Sequence, residues 1–355
     1  MRALRARLAE EGLDGLVVSH PANVRYLTGF SGSSGLVMVT EKAVLLLTDF
    51  RYQTQVAEEV GDLARIDIDS AGLVARLLTL LPEYLQVRTL GFEAHVLTVR
   101  EAARLTDPAH GWRFRPTSDL VEGLRAVKDP DEVAAIGAAG QAACAALARM
   151  VGAVRAGMTE LEVAALLEAE LRRAGSEAHP FDTIVASGPR AALPHAHTSR
   201  RAVEAGEWLL VDFGSRVDGY CADVTRTFVV GAAPDRRQLE VYEVVREAQG
   251  AALRGLRAGL TGKDGDALAR EPIARAGFGE EFGHSLGHGL GLEVHEAPRL
   301  SKVSEQVLPA GAVVTVEPGI YLPGWGGVRI EDDVALSEQG APLLTEFPRE
   351  LVVLG

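Results

Sequence analysis

The segment from Gly206 to Gly231 constrains the fold of this chain more than any other stretch. It reads GEWLLVDFGSRVDGYCADVTRTFVVG, two apolar, β-rich runs around an Asp-Gly pair, the pattern of a β-hairpin. Each run contains one acid, Asp212 and Asp223. An even-length hairpin loop pairs Asp212 with an odd-numbered residue, so strand alternation places both carboxylates side by side on one face. Close carboxylates in an apolar sheet repel, which predicts a cation between them; two acids facing water are the alternative.

Composition limits the classes of partner that this chain can bind. The 355 residues are 47% hydrophobic and 24% charged with a net charge of −13, typical of a globular protein of about two domains. An acidic total argues against nucleic acid or an anionic membrane, which require a basic surface. Cys144 and Cys221 form no disulfide framework, so reducing cytosol is expected. The N-terminus does not resemble a signal peptide, and no run is long and apolar enough to span a membrane.

The pattern of elements changes about one third of the way along the chain. Up to about residue 115, short apolar strands alternate with helices of ordinary length, which predicts an α/β domain with a mostly covered sheet. Asp129-Pro130-Asp131-Glu132 then carries the capping signals of a long helix, and Thr159 with Glu162 starts a second one. Strand-rich segments follow. We therefore predict domains at residues 1–122 and 123–355, the second an α+β domain with helices on one face of a curved antiparallel sheet.

Two further acids interrupt apolar strands in the C-terminal part. Glu317 follows Val-Val-Thr-Val, and Glu331 lies in GVRIEDDVAL. An acid at a core position must be paired or bind a metal, and Arg329 is a candidate salt-bridge partner for Glu331. Four such acids on different strands are harder to explain by pairing. With one histidine they form an oxygen-rich set suited to two divalent ions such as manganese or cobalt.

Five histidines lie in two clusters. The residues are His195, His197, His284, His288 and His295. Four-residue spacing between His284 and His288 is typical of a zinc-binding helix, but Gly283, Gly287 and Gly289 make a helix unfavourable here. We interpret these glycines as backbone freedom used to expose imidazole rings on an extended segment.

Five ordered motifs resemble the signature of the pita-bread metallopeptidases. They are VDFG, ADVTRTF, GHGLGLEVHE, VEPGIY and GVRIED. The similarity is greatest to the proline-specific branch, the Xaa-Pro dipeptidases (prolidases) and aminopeptidase P, and extends from Asp129 to the C-terminus. YLTGFSGSSG and LLLTDFRY resemble the N-terminal domain of that branch. The resemblance implies a creatinase-like α/β domain before an α+β pita-bread catalytic domain.

The resemblance also implies a metal centre and its chemistry. Five residues match the family's metal ligands: Asp212, Asp223, His288, Glu317 and Glu331. Asp223 and Glu331 match the positions that bridge two divalent ions, which we expect to be Mn²⁺, with Co²⁺ or Zn²⁺ as alternatives. Such ions supply a bridging hydroxide, and Glu317 would carry its proton to the leaving proline nitrogen.

Further residues match positions that bind substrate. His195 and His295 match histidines that position the peptide and stabilise the tetrahedral intermediate, and His284 matches one near the proline pocket. Arg329 matches an arginine beside the bridging glutamate and is grouped with the substrate-binding residues. Arg299 resembles an arginine of prolidases and would pair with the carboxylate of a dipeptide; a solvated loop arginine is the alternative.

The implied activity is hydrolysis of Xaa-Pro peptide bonds. We expect a cytoplasmic, homodimeric dipeptidase whose substrate carries proline at its second position. Aminopeptidase P, which removes the first residue from Xaa-Pro-Yaa peptides, is the alternative. A non-catalytic peptide-binding relative or a metal-free creatinase-like hydrolase is disfavoured, because all five ligand types are present.

Overall fold

The chain forms two compact units in the computed structural model, which describes residues 1–70 and 72–355. The units are residues 1–125 and 126–355. The predicted domain boundary at residues 122 and 123 falls inside the short helix Glu122–Arg125, which ends the first unit.

The first unit is a six-stranded mixed sheet with helices on both faces. Its elements are α1 (Arg2–Glu10), β1 (Gly15–Val18), α2 (Pro21–Thr28), β2 (Gly35–Thr40), β3 (Val44–Thr48), α3 (Gln53–Val60), β4 (Arg65–Ile68), α4 (Leu73–Leu80), β5 (Thr89–Glu93), α5 (Val99–Leu105), β6 (Arg113–Thr117) and α6 (Glu122–Arg125). The strand order is β4-β3-β2-β1-β5-β6. Helices α1, α2 and α3 cover one face of the sheet, and α4 and α5 cover the other. Each face has its own apolar core. The predicted α/β domain is confirmed.

The second unit contains two helix pairs and three sheets. Its elements are α7 (Pro130–Ala153), α8 (Glu160–Arg173), β7 (Ile184–Ser187), β8 (Trp208–Val217), β9 (Tyr220–Val230), α9 (Arg236–Gly255), α10 (Gly262–Arg275), β10 (Gly287–Gly289), β11 (Glu296–Leu300), β12 (Val313–Val316), β13 (Gly319–Leu322), β14 (Gly326–Arg329), β15 (Asp332–Ala335) and β16 (Val353–Leu354). The sheets are β16-β9-β8-β7, β11-β10-β12-β15 and β13-β14. The α+β class is confirmed. The single antiparallel sheet is replaced by three sheets, and β16 pairs parallel to β9.

Helices α7 and α8 begin where the sequence predicts. Asp129 and Thr159 each form a capping box with the glutamate three residues later, so the first-turn amides are satisfied. Helix α7 is long and apolar enough to cross a membrane by composition alone, which the sequence analysis missed. Its buried residues, such as Leu147 and Met150, pack into the core shared with α8 and the β8–β9 hairpin. This packing accounts for the apolar composition of α7.

The hairpin has the register that the sequence predicts. Asp212 lies opposite Thr225, an odd-numbered residue, and Asp223 lies opposite Gly214. Asp218 and Gly219 form the tight turn with φ values of 48° and 76°, the left-handed conformation that an Asp-Gly turn allows. Neighbouring side chains on the opposite face pack against the helices, whereas the two acids face away from them. The carboxylates are diagonal neighbours on one face.

We predict opposite effects of two glycine-to-alanine substitutions in α7. A Cβ at Gly140 would lie 2.4 Å from the Leu344 carbonyl oxygen, whereas none of the described atoms lies within 4 Å of a Cβ at Gly137. Gly140→Ala should lower the melting temperature because a backbone atom cannot yield easily. Gly137→Ala should raise stability by about 0.4–1 kcal/mol, since alanine restricts the unfolded chain. Thermal unfolding of both variants measures the two melting temperatures. Equal shifts would contradict the close approach of Leu344 to Gly140.

Candidate metal centre

All ten predicted site residues line one cavity of the second unit. The cavity has a volume of about 1030 Å³. The ten are His195, Asp212, Asp223, His284, His288, His295, Arg299, Glu317, Arg329 and Glu331. They come from six separated segments of the chain, so their convergence is a product of the fold.

The two glutamates lie in breaks between strands. Glu317 stands between β12 and β13, and Glu331 between β14 and β15. Each break is held by a backbone bond to another segment: Glu317 N donates to the Leu286 carbonyl at 2.9 Å, and Glu331 N donates to the Thr225 carbonyl at 3.1 Å. The acids that interrupt the apolar runs therefore mark interruptions of the strands themselves.

His288 lies on the short strand β10, between two glycines that allow close approach of neighbouring strands. A Cβ at Gly287 would lie 2.0 Å from the Thr315 carbonyl oxygen, and one at Gly289 would lie 2.2 Å from the Ala297 carbonyl oxygen. Neither glycine has a positive φ. The prediction that the segment is not helical is confirmed, but the interpretation of these glycines as backbone freedom is wrong, because Gly287 and Gly289 provide space for the neighbouring strands.

Four carboxylates crowd the floor of the cavity. Burial raises the pKa of Asp223 well above its usual value, and the nearby Glu331 carboxylate raises it further. Burial likewise raises the pKa of Glu317, with Glu331 again contributing. The pKa of Glu331 is raised to about 8 by burial and by Asp212. These shifts share one cause, since desolvated negative charges have too little cationic charge near them.

The donor set fits divalent metal ions. His288 Nδ1 lies 3.0 Å from the Gly289 carbonyl oxygen, to which it must donate, so Nε2 carries a lone pair. The Nε2 atom lies 3.8 Å from Asp223 Oδ2 and 3.6 Å from Glu317 Oε1, too far for hydrogen bonds. Ligand atoms of Asp223, His288 and Glu331 lie within 4.8 Å of one another. The buried Oδ1 atoms of Asp212 and Asp223 have no hydrogen-bond partner, as expected of atoms that face a cation.

Arg329 connects several of these groups. Its guanidinium forms an ion pair with Asp212 Oδ2 at 2.5 Å, so the predicted pairing with Glu331 is replaced by one with Asp212. Arg329 Nε donates to Thr225 Oγ1 at 3.1 Å, and that hydroxyl donates to Glu331 Oε2 at 2.5 Å. Another nitrogen donates to Tyr321 Oη at 2.7 Å. These contacts favour a role in orienting carboxylates over contact with substrate.

Sequence reasoning missed Thr225 and Tyr321. Thr225 lies two residues after Asp223, and alternation along β9 places both on the cavity face. Tyr321 lies four residues after Glu317, at the end of the same motif that carries the acid. Their positions were readable from spacing, but their hydrogen bonds depend on strands distant in sequence.

His284 has both ring nitrogens engaged. Nδ1 lies 2.8 Å from the Ser285 carbonyl oxygen and therefore carries the proton, while Nε2 lies 2.9 Å from Tyr321 Oη and accepts from it. Burial and, to a lesser extent, the Arg329 charge lower the pKa of His284 to about 4, so the ring is neutral. Only its carbon face is left for the cavity, which suits an apolar ligand ring.

The remaining three site residues lie on the more exposed part of the cavity wall. The described hydrogen bonds do not engage the side chains of His195, His295 or Arg299. The His295 ring contacts that of His288 with centroids 4.3 Å apart. Arg299 is the β-pairing partner of His288, which places the arginine one strand away from a candidate metal ligand.

Comparison with known proteins identifies both units. Residues 134–338 match metallopeptidase family M24, and residues 1–127 match the creatinase/prolidase N-terminal domain. The chain is 37% identical over 345 residues to a Xaa-Pro dipeptidase from Pyrococcus furiosus, covering 97% of this chain and 96% of that protein.

Solved structures show the same similarity over the whole length. One is a Xaa-Pro dipeptidase from Bacillus anthracis, with a TM-score of 0.95 and 41% identity, covering 99% of this chain and 98% of that one. Another is an X-Pro aminopeptidase from Thermotoga maritima, with a TM-score of 0.92 and 40% identity, covering 99% of both chains. The pita-bread architecture expected from the motifs is confirmed.

We predict that Asp223→Asn stabilises the metal-free protein. Removing one of four crowded charges should stabilise the fold by about 1–2 kcal/mol, or about 2–8 °C in melting temperature for a unit of this size. Added divalent metal should then raise the melting temperature of the wild type more than that of the variant, because the variant has lost a ligand.

Thermal unfolding with and without a chelator measures both effects. Asp218→Asn is the matched control, since its turn conformation, with φ 48°, also suits asparagine. A chelator-treated Asp223→Asn protein no more stable than the wild type would contradict the repulsion argument.

Proposed function

The chain belongs to metallopeptidase family M24, and from this premise we propose that it hydrolyses Xaa-Pro bonds, with free dipeptides as preferred substrates. The observation that carries this proposal is that four carboxylates and the Nε2 lone pair of His288 converge on one cavity. Beside them lies Arg299, whose side chain has no partner among the described hydrogen bonds. The first group fits divalent metal ions, and the arginine fits a substrate carboxylate.

The residues that would hold two metal ions are those predicted from the sequence. Asp212, Asp223, His288, Glu317 and Glu331 would supply the ligand atoms. Manganese fits this oxygen-rich set, with cobalt or zinc as alternatives. When bound, such ions activate water and polarise the carbonyl of the scissile bond. The Arg329–Asp212 pair and the Thr225–Glu331 bond keep the carboxylates oriented.

Proton transfer is assigned to Glu317. Its carboxylate lies between two histidines, 3.8 Å from His284 Nδ1 and 3.6 Å from His288 Nε2. Burial and neighbouring acids raise the pKa of Glu317, which makes the carboxylate a better proton acceptor. It would take a proton at a carboxylate oxygen and deliver it to the proline nitrogen. A prolyl nitrogen is a poor leaving group until it is protonated.

His195 and His295 would orient the peptide and donate to its carbonyl oxygen. Partial desolvation in the cavity and the nearby Arg299 charge lower the pKa of His295, which favours the neutral imidazole with one N–H. A neutral donor aimed at an oxygen that becomes negative stabilises that charge without repelling the metal ions. The carbon face of His284 would contact the proline ring.

Arg299 would set the length of the substrate. A dipeptide ends in a carboxylate directly after the proline ring, and Arg299 lines the cavity beside His288. Such pairing favours dipeptides because a longer peptide has no charge at that point. A homodimeric state and a cytoplasmic location remain predictions from the sequence.

Aminopeptidase P activity is the second candidate. A cavity of about 1030 Å³ is larger than a dipeptide needs, and the similar protein from Thermotoga maritima is named as an aminopeptidase. Within the described residues no ligand position is broken, so a purely peptide-binding role is disfavoured.

Chelation and substrate length together test the proposed activity. Exhaustive chelation should abolish Xaa-Pro hydrolysis, and manganese or cobalt should restore it. Rates on Xaa-Pro and Xaa-Pro-Yaa then decide between the candidates. Full activity after chelation would overturn the metal mechanism, and faster cleavage of the tripeptide would assign the protein as an aminopeptidase P.

Glu317→Gln should remove nearly all turnover. The substitution deletes the proton carrier and one negative charge at the metal ions, and loss of acid–base catalysis alone costs about 10²–10⁴-fold. Steady-state rates with metal content measured on the same sample separate the two effects. A variant that retains more than about a tenth of the wild-type rate with both metals bound would place the proton carrier elsewhere.

Arg299→Ala should raise KM for Xaa-Pro steeply. A bound dipeptide would cover Arg299 and desolvate the ion pair, and loss of such a pair costs about 2–5 kcal/mol, whereas an amidated Xaa-Pro, which lacks the carboxylate, should be little affected. Lys302→Ala is the matched control, because it removes a positive charge nearby without lining the cavity. Equal losses on both substrates would exclude Arg299 from this role.

A further inference from the structure

The segment from Phe282 to Leu286 carries His284 but has no regular secondary structure. It precedes β10, and its backbone bends at His284 and at Leu286, so its polar groups are not paired by a regular strand ladder and need other partners. On one side, the Leu286 carbonyl accepts from Glu317 N. The other side faces helix α10, whose own backbone groups are bonded within the helix and are not available to a neighbouring segment. Side chains must therefore supply the partners.

Two residues one turn apart on α10 supply them. Arg270 donates to the Phe282 carbonyl at 2.8 Å and to the His284 carbonyl at 2.7 Å, and Asp266 Oδ1 accepts from Leu286 N at 3.0 Å. These three backbone groups belong to alternate residues, as in the edge of a strand. The Asp266–Arg270 pair thus takes the place of a missing neighbouring strand.

The pair is rigid and lies outside the cavity. Arg270 Nε lies 2.5 Å from Asp266 Oδ2, and a terminal nitrogen lies 2.9 Å from Oδ1, a two-point contact. The Asp266 side chain is 2% exposed and that of Arg270 is 13% exposed, and neither lines the cavity. Desolvated ion pairs of this kind hold their geometry, because any displacement leaves a buried charge unpaired.

Ring contacts extend the pair towards the cavity. The Arg270 guanidinium stacks on the Phe282 ring with its central carbon 4.0 Å from the centroid. The Phe282 and His284 rings are perpendicular, with centroids 5.1 Å apart and an angle of 88° between their planes. Because both His284 nitrogens bond within the protein, the position of its carbon face depends on the backbone that Arg270 and Phe282 fix.

We propose that Arg270, held by Asp266, is a positioning residue that fixes the carbon face of His284 as the wall against which the substrate proline packs. The inference rests on the proposed Xaa-Pro activity. Strand β10 is held independently through pairing with β11 and β12, so His288 keeps its place without Arg270. Asp266 still accepts from Leu286 N, and Leu286 supports Glu317, so loss of Arg270 weakens substrate binding while metal binding and proton transfer persist.

Arg270→Met tests this assignment, because methionine keeps an unbranched chain but donates no hydrogen bonds. KM for Xaa-Pro should rise about 10–100-fold, while kcat at saturating metal changes less than about threefold. Arg270→Lys should restore part of the loss, since an ammonium can pair with Asp266 but lacks the planar fork. Arg275→Met is the matched control: Arg275 pairs with Glu271 at the same spacing on α10, but both side chains are exposed.

A second measurement does not depend on activity. In metal-free protein labelled with ¹⁵N-histidine, Arg270→Met should shift or broaden the His284 imidazole signals and leave those of His95, in the other unit, unchanged. This readout decides the positioning role even if the wild-type enzyme fails to cleave Xaa-Pro, which would overturn only the proposed function.

The outcomes that overturn the proposal are specific. They are an unchanged His284 signal, a KM within about twofold of the Arg275→Met value, or a kcat loss that accompanies loss of metal affinity. Where Arg270→Met does not fold, Asp266→Asn carries the test. Asparagine still accepts from Leu286 N but loses the charge that orients Arg270, so an intermediate rise in KM supports the proposal and an unchanged KM overturns it.

Discussion

Repulsion among buried carboxylates is the constraint on which the rest of the catalytic unit depends. Asp212, Asp223, Glu317 and Glu331 share one cavity floor, where burial raises the pKa of the last three. Such a cluster persists only where other parts of the fold offset its cost, and here two apolar cores between helices and sheets stabilise the unit. The Arg329–Asp212 ion pair supplies part of the missing charge, and divalent metal supplies the remainder.

The helices and the cavity lie on opposite faces of the β8–β9 hairpin, because successive side chains along each strand point to alternate faces. Odd-numbered residues of β8, such as Val211 and Phe213, pack against α7 and α8, whereas Asp212 faces the cavity. A shift of register by one residue would bury the acid in the helical core and expose the apolar side chains. The tight Asp218-Gly219 turn fixes that register, so a local conformational preference decides which face becomes a site.

The sequence predicted the fold class and ten residues that the fold brings to one cavity, because acids within apolar runs and ordered motifs are local signals. Pairing between distant segments was less accessible. Arg329 was expected to pair with Glu331, two residues away, but the fold brings it to Asp212, more than a hundred residues away in sequence. Arg270 gave no signal either, because an exposed and a buried i,i+4 ion pair have the same sequence pattern. Its role depends on which strand lacks a neighbour.

The strand breaks at Glu317 and Glu331 affect how such a metal site can evolve. Each acid is placed by a backbone bond to Leu286 or to Thr225 rather than by continuous pairing of its own strand. A small displacement of either supporting segment would move one carboxylate while the ligand itself and the flanking strands stay intact. Metal preference can therefore drift through substitutions that leave every ligand in place, and relatives with identical ligands can differ in the ion they use.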